Sequence, residues 1–206
     1  MAAELTAAKQ SQNGWPASAN ASELDLVDFP VNLRSGQKKI KLARAAGRSL
    51  VEMIEWWDQN IEPVTMIGGW NYREIRGYEG SGKLSNHSSG TAVDINWDKH
   101  PLAAVGTVPA DKVGLLRYEA TKRGLRWGGD YRNRKDEMHI EVNLTPAQFG
   151  IEQQALDVAR EGSKIVRSHW KLALLALATG GVTVGLLARS ALRRRRTRRK
   201  QLQVKT

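Results

Sequence analysis

The sequence contains no cysteine, and this absence limits the chemistry open to the chain. Disulfide bonds and thiolate metal sites are excluded, so histidine and carboxylate side chains remain as ligands for a transition metal. Histidine is scarce as well: the four are His87, His100, His139 and His169. Any zinc site must draw on this short set. The lack of cysteine does not identify a compartment, because cysteine-free chains occur on both sides of a membrane.

The body of the chain also lacks a basic character, although the formal net charge is +11. Residues 189–206 hold nine of the 32 basic residues and no acidic one. The residues before them carry 23 basic and 21 acidic side chains, so they are close to neutral. The basicity therefore belongs to a tail, and nucleic acid is not expected as a partner of the globular part.

The N-terminal residues lack the basic start and apolar core of a secretory signal. Their Ala, Ser, Gln and Asn content predicts a flexible lead-in over residues 1–29. A globular domain is expected over residues 30–150, followed by a helical connector over residues 151–171. No internal repeat is present.

A different kind of segment follows, because residues 172–188 carry no charge and are rich in Leu, Ala, Val and Gly. As a helix this run spans about 26 Å, just under the ~30 Å hydrocarbon core of a bilayer. It predicts a transmembrane helix, with the Arg-rich tail of residues 189–206 bound to anionic lipid headgroups. A buried core helix is the weaker interpretation, since such a helix is seldom followed by an arginine cluster.

Within the globular part, periodicity and turn residues indicate alternating helices and short strands. An amphipathic helix is predicted from Gln37 to Ile61 and a second from Pro109 to Gly124. Residues 64–67 and 125–127 are strand-like, and Thr145-Pro146 is typical of a helix start. We expect an α+β fold in which helices cover a small antiparallel sheet.

One stretch, residues 84–96, combines an imidazole with a carboxylate. Ser88-Ser89-Gly90 is a poor helix interior, which places His87 on a loop and Asp94 on the strand that follows. Both side chains are zinc-ligand types, and a catalytic zinc needs three protein ligands with one position left for water. His139 is a candidate third ligand, because it lies in an acidic segment whose carboxylates could serve as a base.

These two segments, with Tyr72-Arg73 before them and Trp127-Gly128-Gly129-Asp130 between them, resemble the zinc peptidases of the D-alanyl-D-alanine carboxypeptidase family. More narrowly, they resemble the L-alanyl-D-glutamate peptidases of phage endolysins. The resemblance covers roughly residues 30–145. It implies one Zn²⁺ in a groove, held by His87, Asp94 and His139. It also implies that Asp136 is the general base and that Arg73 steadies the substrate or the oxyanion.

One departure from the family pattern leaves a role open. Glu137 stands where relatives often have proline, so it competes with Asp136 for the role of base. Neighbours on an extended segment point to opposite sides, hence only one of them can face the metal, and the resemblance favours Asp136. Ser85 either orients a ligand or substrate or stabilises a turn. His100 is expected to be structural or solvent-facing.

The resulting hypothesis is a zinc metallopeptidase that hydrolyses a stem-peptide bond of bacterial peptidoglycan, most plausibly L-alanyl-D-glutamate. The alternatives are a D-alanyl-D-alanine carboxypeptidase and a non-catalytic, membrane-anchored cell-wall-binding protein. The positive-inside rule predicts a cytoplasmic tail and a peptidase domain that faces the wall. Because no export signal is evident, a domain held in the host cytoplasm at the membrane until lysis is the second topology.

Overall fold

The computed structural model describes residues 9–159 and residue 161. The chain divides into two compact units, residues 1–156 and residues 157–206. The first unit is an α+β domain with small antiparallel sheets, as the sequence predicts.

A long hairpin begins the regular structure, with strand β1 at Leu26–Leu33 and strand β2 at Gly36–Ala43. Ile40 and Leu42 alternate with polar neighbours and are buried, which is the period of a strand with one face on the core. The prediction of a helix starting at Gln37 is therefore wrong over this part. Leu42 on the strand lies four residues before Ala46 on the helix that follows. The apolar positions of the two elements are therefore separated by a helical interval, and in the sequence they resemble one helix.

Helix α1 occupies Arg44–Asn60, directly after the hairpin. Its buried side chains recur at steps of three and four residues, which gives one apolar stripe; they include Ala46, Leu50, Met53, Ile54 and Trp57. This stripe joins the central hydrophobic core that also contains the inner face of the main sheet.

The main sheet has four antiparallel strands in the order β3-β4-β6-β5. They are β3 at Ile67–Gly68, β4 at Ala92–Ile95, β5 at Leu125–Trp127 and β6 at His139–Val142. One face lies on the core through Val93, Ile95, Leu125, Trp127, Ile140 and Val142. Because side chains alternate along a strand, the polar residues between these positions share the opposite face; they are Asp94, Arg126, His139 and Glu141.

Within the predicted lead-in over residues 1–29, the described residues 9–29 make defined contacts with the domain. Trp15 is buried in the core, and its Nε1 donates to Leu144 O at 2.8 Å. Asn13 Nδ2 donates to Thr91 Oγ1 and to Val142 O, both at 2.8 Å. A buried tryptophan removes a large apolar surface from water, and this fixes the segment against the sheet.

The second predicted helix is present as α2 at Ala110–Thr121, and Gly124 with φ +72° follows its end. Residues 146–156 are helical, as Thr145-Pro146 predicts. Within the described residues, no helix combines the length and the apolar character that crossing a bilayer requires. The predicted transmembrane helix at 172–188 and the Arg-rich tail at 189–206 lie outside the described residues.

Candidate metal centre

His87 is held by a short 3-10 turn at Asn86–Ser89. Ser85 caps this turn, since its hydroxyl accepts a hydrogen bond from His87 N at 3.3 Å. Gly90 ends the turn with φ +70°, a conformation that glycine adopts without strain. A Cβ at Gly90 would also lie 2.7 Å from Ala43 N. The turn is thus fixed at both ends, and His87 is positioned by backbone geometry.

Asp94 and His139 are direct cross-strand neighbours, on β4 and β6. They meet His87 in a buried group whose ligand atoms all lie within 4.8 Å of one another. Asp94 Oδ1 is 2.8 Å from His139 Nδ1 and 3.1 Å from His87 Nε2, and these two nitrogens are 3.2 Å apart. The sequence-predicted ligands therefore converge on one point.

The outer nitrogen of each imidazole determines which nitrogen faces that point. His87 Nδ1 lies 2.7 Å from Gly69 O, and His139 Nε2 lies 3.2 Å from Glu141 Oε2. Both partners are acceptors, so in the neutral form of each imidazole the outer nitrogen carries the proton and the inner nitrogen presents a lone pair. In that form two nitrogen lone pairs and a carboxylate oxygen face one point, where a cation would replace the proton that His139 otherwise shares with Asp94. The spacing suits a tetrahedral zinc, whose ligands at 2.0–2.2 Å stand about 3.3 Å apart.

The electrostatic environment of the three ligands also favours a cation. Burial lowers the pKa of His139, but the hydrogen bonds that its ring donates to Asp94 and Glu141, together with the negative charge of these carboxylates, outweigh burial and raise the pKa to about 10. Burial raises the pKa of Asp94, but the two imidazoles outweigh it and hold the pKa well below its usual range. The carboxylates of Asp94 and Glu141 stabilise a positive charge among the three side chains. A zinc ion would supply that charge in place of a proton.

Glu141 is a functional candidate that the sequence reasoning missed. It is 1% exposed, and besides His139 it accepts hydrogen bonds from Asn86 Nδ2 at 2.6 Å and from Arg126 Nε at 3.0 Å. Tyr131 packs near the His139 ring, with the two ring centroids 6.1 Å apart. The sequence contained one signal that could have identified Glu141. Side chains alternate along a strand, so residues 139 and 141 lie on the same face of the sheet. Such a carboxylate fixes the tautomer and orientation of a metal-binding imidazole.

The two competing acids have different surroundings. Glu137 uses both oxygens to accept hydrogen bonds at 2.6–2.8 Å from Gly106 N, Thr107 N, Thr107 Oγ1 and Val108 N. Asp136 lines the same cavity as His139, and its Oδ1 is buried without a hydrogen-bond partner. Burial is the main cause that raises the pKa of Asp136. Only Asp136 has a carboxylate oxygen free for chemistry beside the triad.

Gly128 allows this arrangement of Asp136 and His139. A Cβ at Gly128 would collide with Asp136 O and lie 3.1 Å from His139 Cβ. In addition, Asp136 N donates to Gly128 O at 3.1 Å. The close approach of the two backbones explains the glycine in the Trp127-Gly128-Gly129-Asp130 segment.

Arg73 lies at the rim of the triad, with Nη2 3.9 Å from Asp94 Oδ2. Its backbone is held by Ser88, whose Oγ accepts from Arg73 N at 3.0 Å and donates to Arg73 O at 2.8 Å. Cavities of about 600 and 380 Å³ adjoin the triad, one bordered by His139 and the other by His87 and Asp94. Arg73 lines both cavities, so its guanidinium is close to any substrate that spans them.

The other two histidines do not join the site within the described residues. His100 is buried, with Nδ1 2.9 Å from Thr107 Oγ1 and Nε2 3.1 Å from Glu62 Oε1, so it is a structural residue. His169 lies outside the described residues.

Comparison with known proteins gives one match. Residues 79–142 match the family model described as D-alanyl-D-alanine carboxypeptidase. This range contains all three candidate metal ligands and Asp136, it ends with β6, and Arg73 precedes it. No curated protein and no solved structure was found to match the chain. The matched segment confirms the family resemblance that the sequence motifs indicate.

Proposed function

We infer that this chain, a zinc metallopeptidase by its matched segment and its ligand triad, hydrolyses the L-alanyl-D-glutamate bond of peptidoglycan stem peptides. The observation that carries the inference is the convergence of three metal-ligand lone pairs beside Asp136, whose buried oxygen has no partner. A carboxylate placed so is suited to take the proton of an attacking water.

The positions of the site residues determine the role that is proposed for each of them. His87, Asp94 and His139 would hold the zinc, which when bound would provide Lewis-acid chemistry for the carbonyl and for a water near neutral pH. Asp136 accepts one proton of the attacking water and later delivers it to the leaving amine as the C–N bond breaks. The guanidinium of Arg73 stabilises the negative charge that develops on the carbonyl oxygen.

The two cavities that adjoin the triad support cleavage inside a peptide. An endopeptidase must hold substrate on both sides of the scissile bond, and the volumes of about 600 and 380 Å³ provide that room. The description of the matched family favours a second candidate, the removal of a terminal D-alanine. A carboxypeptidase needs little space beyond one residue on the C-terminal side.

Digestion of purified peptidoglycan followed by mass spectrometry tests this proposal. Cleavage of the L-alanyl-D-glutamate bond leaves L-alanine on the glycan strand and gives peptides with a new amino terminus on D-glutamate. Carboxypeptidase activity would release free D-alanine instead. His139→Ala, which removes one ligand, is the negative control. Release of no fragment by zinc-loaded enzyme would contradict both candidates and favour a wall-binding role.

The cellular setting belongs to the same proposal. We expect an endolysin-like enzyme anchored by residues 172–188, with the Arg-rich tail in the cytoplasm and the peptidase domain facing the wall. The nine basic residues after the uncharged run, against three just before it, support this orientation. Protease added to intact spheroplasts would digest the domain in this topology. Protection until the membrane is permeabilised would favour a domain held inside until lysis.

A further inference from the structure

The larger cavity beside the triad has an unusual excess of positive charge. Its walls include six basic and three acidic side chains. The basic ones are Arg73, Arg76, Lys83, Arg126, Arg132 and Arg134, and the acidic ones are Asp130, Asp136 and Glu141. In a domain that is nearly neutral apart from its tail, this concentration of cations in one concave surface needs an explanation.

Two of the three acids are already paired. Glu141 accepts hydrogen bonds from Arg126, and Asp130 forms an ion pair at 2.7 Å with Arg117, which lies outside this cavity. Asp136 stands beside the triad, where the proposed mechanism uses it. The carboxylates of the wall therefore do not neutralise its remaining cations.

Four cations are left over: Arg76, Lys83, Arg132 and Arg134. Within the described residues, none of them forms an ion pair with a carboxylate. Glu79 is near enough for its charge to interact with Arg134, but its carboxylate accepts a hydrogen bond from Gly77 N at 2.8 Å. Glu79 thus interacts with one of the four cations, and the four come from two separate loops.

A hydrogen bond between two of the four cationic residues connects the two loops. The guanidinium of Arg134 donates a hydrogen bond to Arg76 O, which connects the loop after β5 to the turn that contains Gly77. Arg76 is close enough to Arg73 and Asp136 for its charge to affect the pKa of both. The group of four remaining cations therefore starts with Arg76, close to Arg73 and Asp136, and extends away from the triad.

We propose that Arg76 and Arg134, with Lys83 and Arg132 around them, form a subsite for substrate carboxylates on the C-terminal side of the scissile bond. This inference rests on the proposed function. In an L-alanyl-γ-D-glutamyl peptide the glutamate is linked through its side chain, so its α-carboxylate is free. An acidic diamino acid as the next residue adds a further carboxylate. Guanidinium groups bind carboxylates through directed, charge-assisted hydrogen bonds.

Two matched peptides test the subsite directly. One carries the free α-carboxylate on D-glutamate, and the other is identical except that this carboxylate is amidated. Zinc-loaded wild-type protein is expected to hydrolyse the free acid with a kcat/KM about tenfold higher, mostly through KM, as one partly exposed charge-assisted contact provides. Equal values for the two peptides would overturn the subsite and leave the proposed function intact.

Variants identify the residues responsible. In Arg76→Gln and in Arg134→Gln, the ratio of kcat/KM for the free acid to kcat/KM for the amidated peptide is expected to fall close to one. Arg76→Lys keeps the charge and is expected to retain part of the preference. The matched control is the double variant Arg44→Gln/Arg48→Gln, which removes two arginine charges from α1 outside both cavities. A preference that survives in folded Arg76→Gln and Arg134→Gln proteins would contradict the assignment. Should either fail to fold by circular dichroism, Lys83→Gln tests the same cavity wall.

Binding separates this inference from the peptidase activity. The fragment that begins at D-glutamate has no scissile bond, and its free and amidated forms can be titrated calorimetrically into wild-type protein. We expect the free acid to bind about tenfold more tightly, with a difference that shrinks as salt is added. If neither peptide is hydrolysed but this difference is present, the proposed function fails and the subsite stands. Equal affinities would reject the subsite whatever the activity.

Discussion

Asp136 and Glu137 are neighbours in the chain, yet only Asp136 has an oxygen left for chemistry. We expect Asp136→Asn to keep zinc bound and to lower kcat by roughly 10² or more, because the proton acceptor is lost while the shape is kept. Single-turnover hydrolysis with metal content measured on the same sample checks this. An Asp136→Asn enzyme with normal turnover would require another base.

Glu141 provides a second prediction at the level of a single residue. Glu141→Gln replaces the carboxylate that faces His139 Nε2 and Arg126, so His139 is less firmly oriented. Zinc affinity is expected to weaken about 10- to 100-fold, as when other outer partners of ligating histidines are changed. Competition with a chelator measures the affinity. Glu119→Gln, a buried carboxylate paired with Arg123 outside both cavities, is the control and should bind zinc normally.

The triad could be predicted from sequence for two reasons. His87 and Asp94 lie in one short stretch, a turn followed by a strand, and the resemblance to a known family added His139, which is far away in the sequence. Glu141 could not be predicted in the same way. Its importance comes from contacts with Asn86 and Arg126, which the fold brings together from two other elements. Arg76 and Arg134 were missed for a similar reason, since the two loops that carry them meet only in the folded chain.

At the scale of elements, Glu137 connects β6 to the loop before α2. Its carboxylate accepts three backbone hydrogen bonds from residues 106–108, and the residue is 5% exposed. Glu137→Gln turns one acceptor oxygen into a donor and is expected to cost about 1–3 kcal/mol of unfolding free energy. Urea unfolding at pH 7 measures the loss. Zinc content should not change, because Glu137 does not reach the triad.

The same residue makes a prediction about pH. Burial raises the pKa of Glu137, but hydrogen bonds from Thr107, Val108 and Gly106 outweigh it, so the folded-state pKa is lowered. A lowered pKa means that the ionised group stabilises the fold above its unfolded pKa near 4.5. This stabilisation disappears as the pH falls through the folded-state value. The difference in unfolding free energy between wild type and Glu137→Gln should therefore shrink below pH 4.5, and a constant difference from pH 7 to pH 3 would contradict it.

The hairpin shows where sequence periodicity misleads at this scale. Residues 37–43 carry apolar side chains at spacings that suit both a strand and the start of α1. Pairing with β1 decides between them, because all eight residues from Gly36 to Ala43 have partners across the hairpin. The N-terminal segment shows a comparable conflict: its polar composition predicts flexibility, whereas a single tryptophan, Trp15, packs edge-on against Phe149 in the core.

At the scale of the whole domain, the metal site and the hydrophobic core lie on opposite faces of the same sheet. The core side chains of β4 and β6 point toward α1, while Asp94 and His139 point away from it. The triad itself contributes no apolar side chain to that core. Metal binding and folding are therefore separate in this protein, unlike in a zinc finger, where the metal replaces a core.

This separation predicts the response to zinc removal. A chelator should abolish hydrolysis, but the far-ultraviolet circular dichroism of the metal-free domain should remain that of the folded α+β protein. The melting temperature should fall, since zinc binds the folded state and stabilises it by RT ln(1 + [Zn]/Kd). Return of zinc should restore both activity and melting temperature without refolding from denaturant. In His139→Ala the melting temperature should no longer rise with zinc. A metal-free domain with the spectrum of an unfolded chain would contradict the separation, and full activity without metal would overturn the zinc peptidase itself.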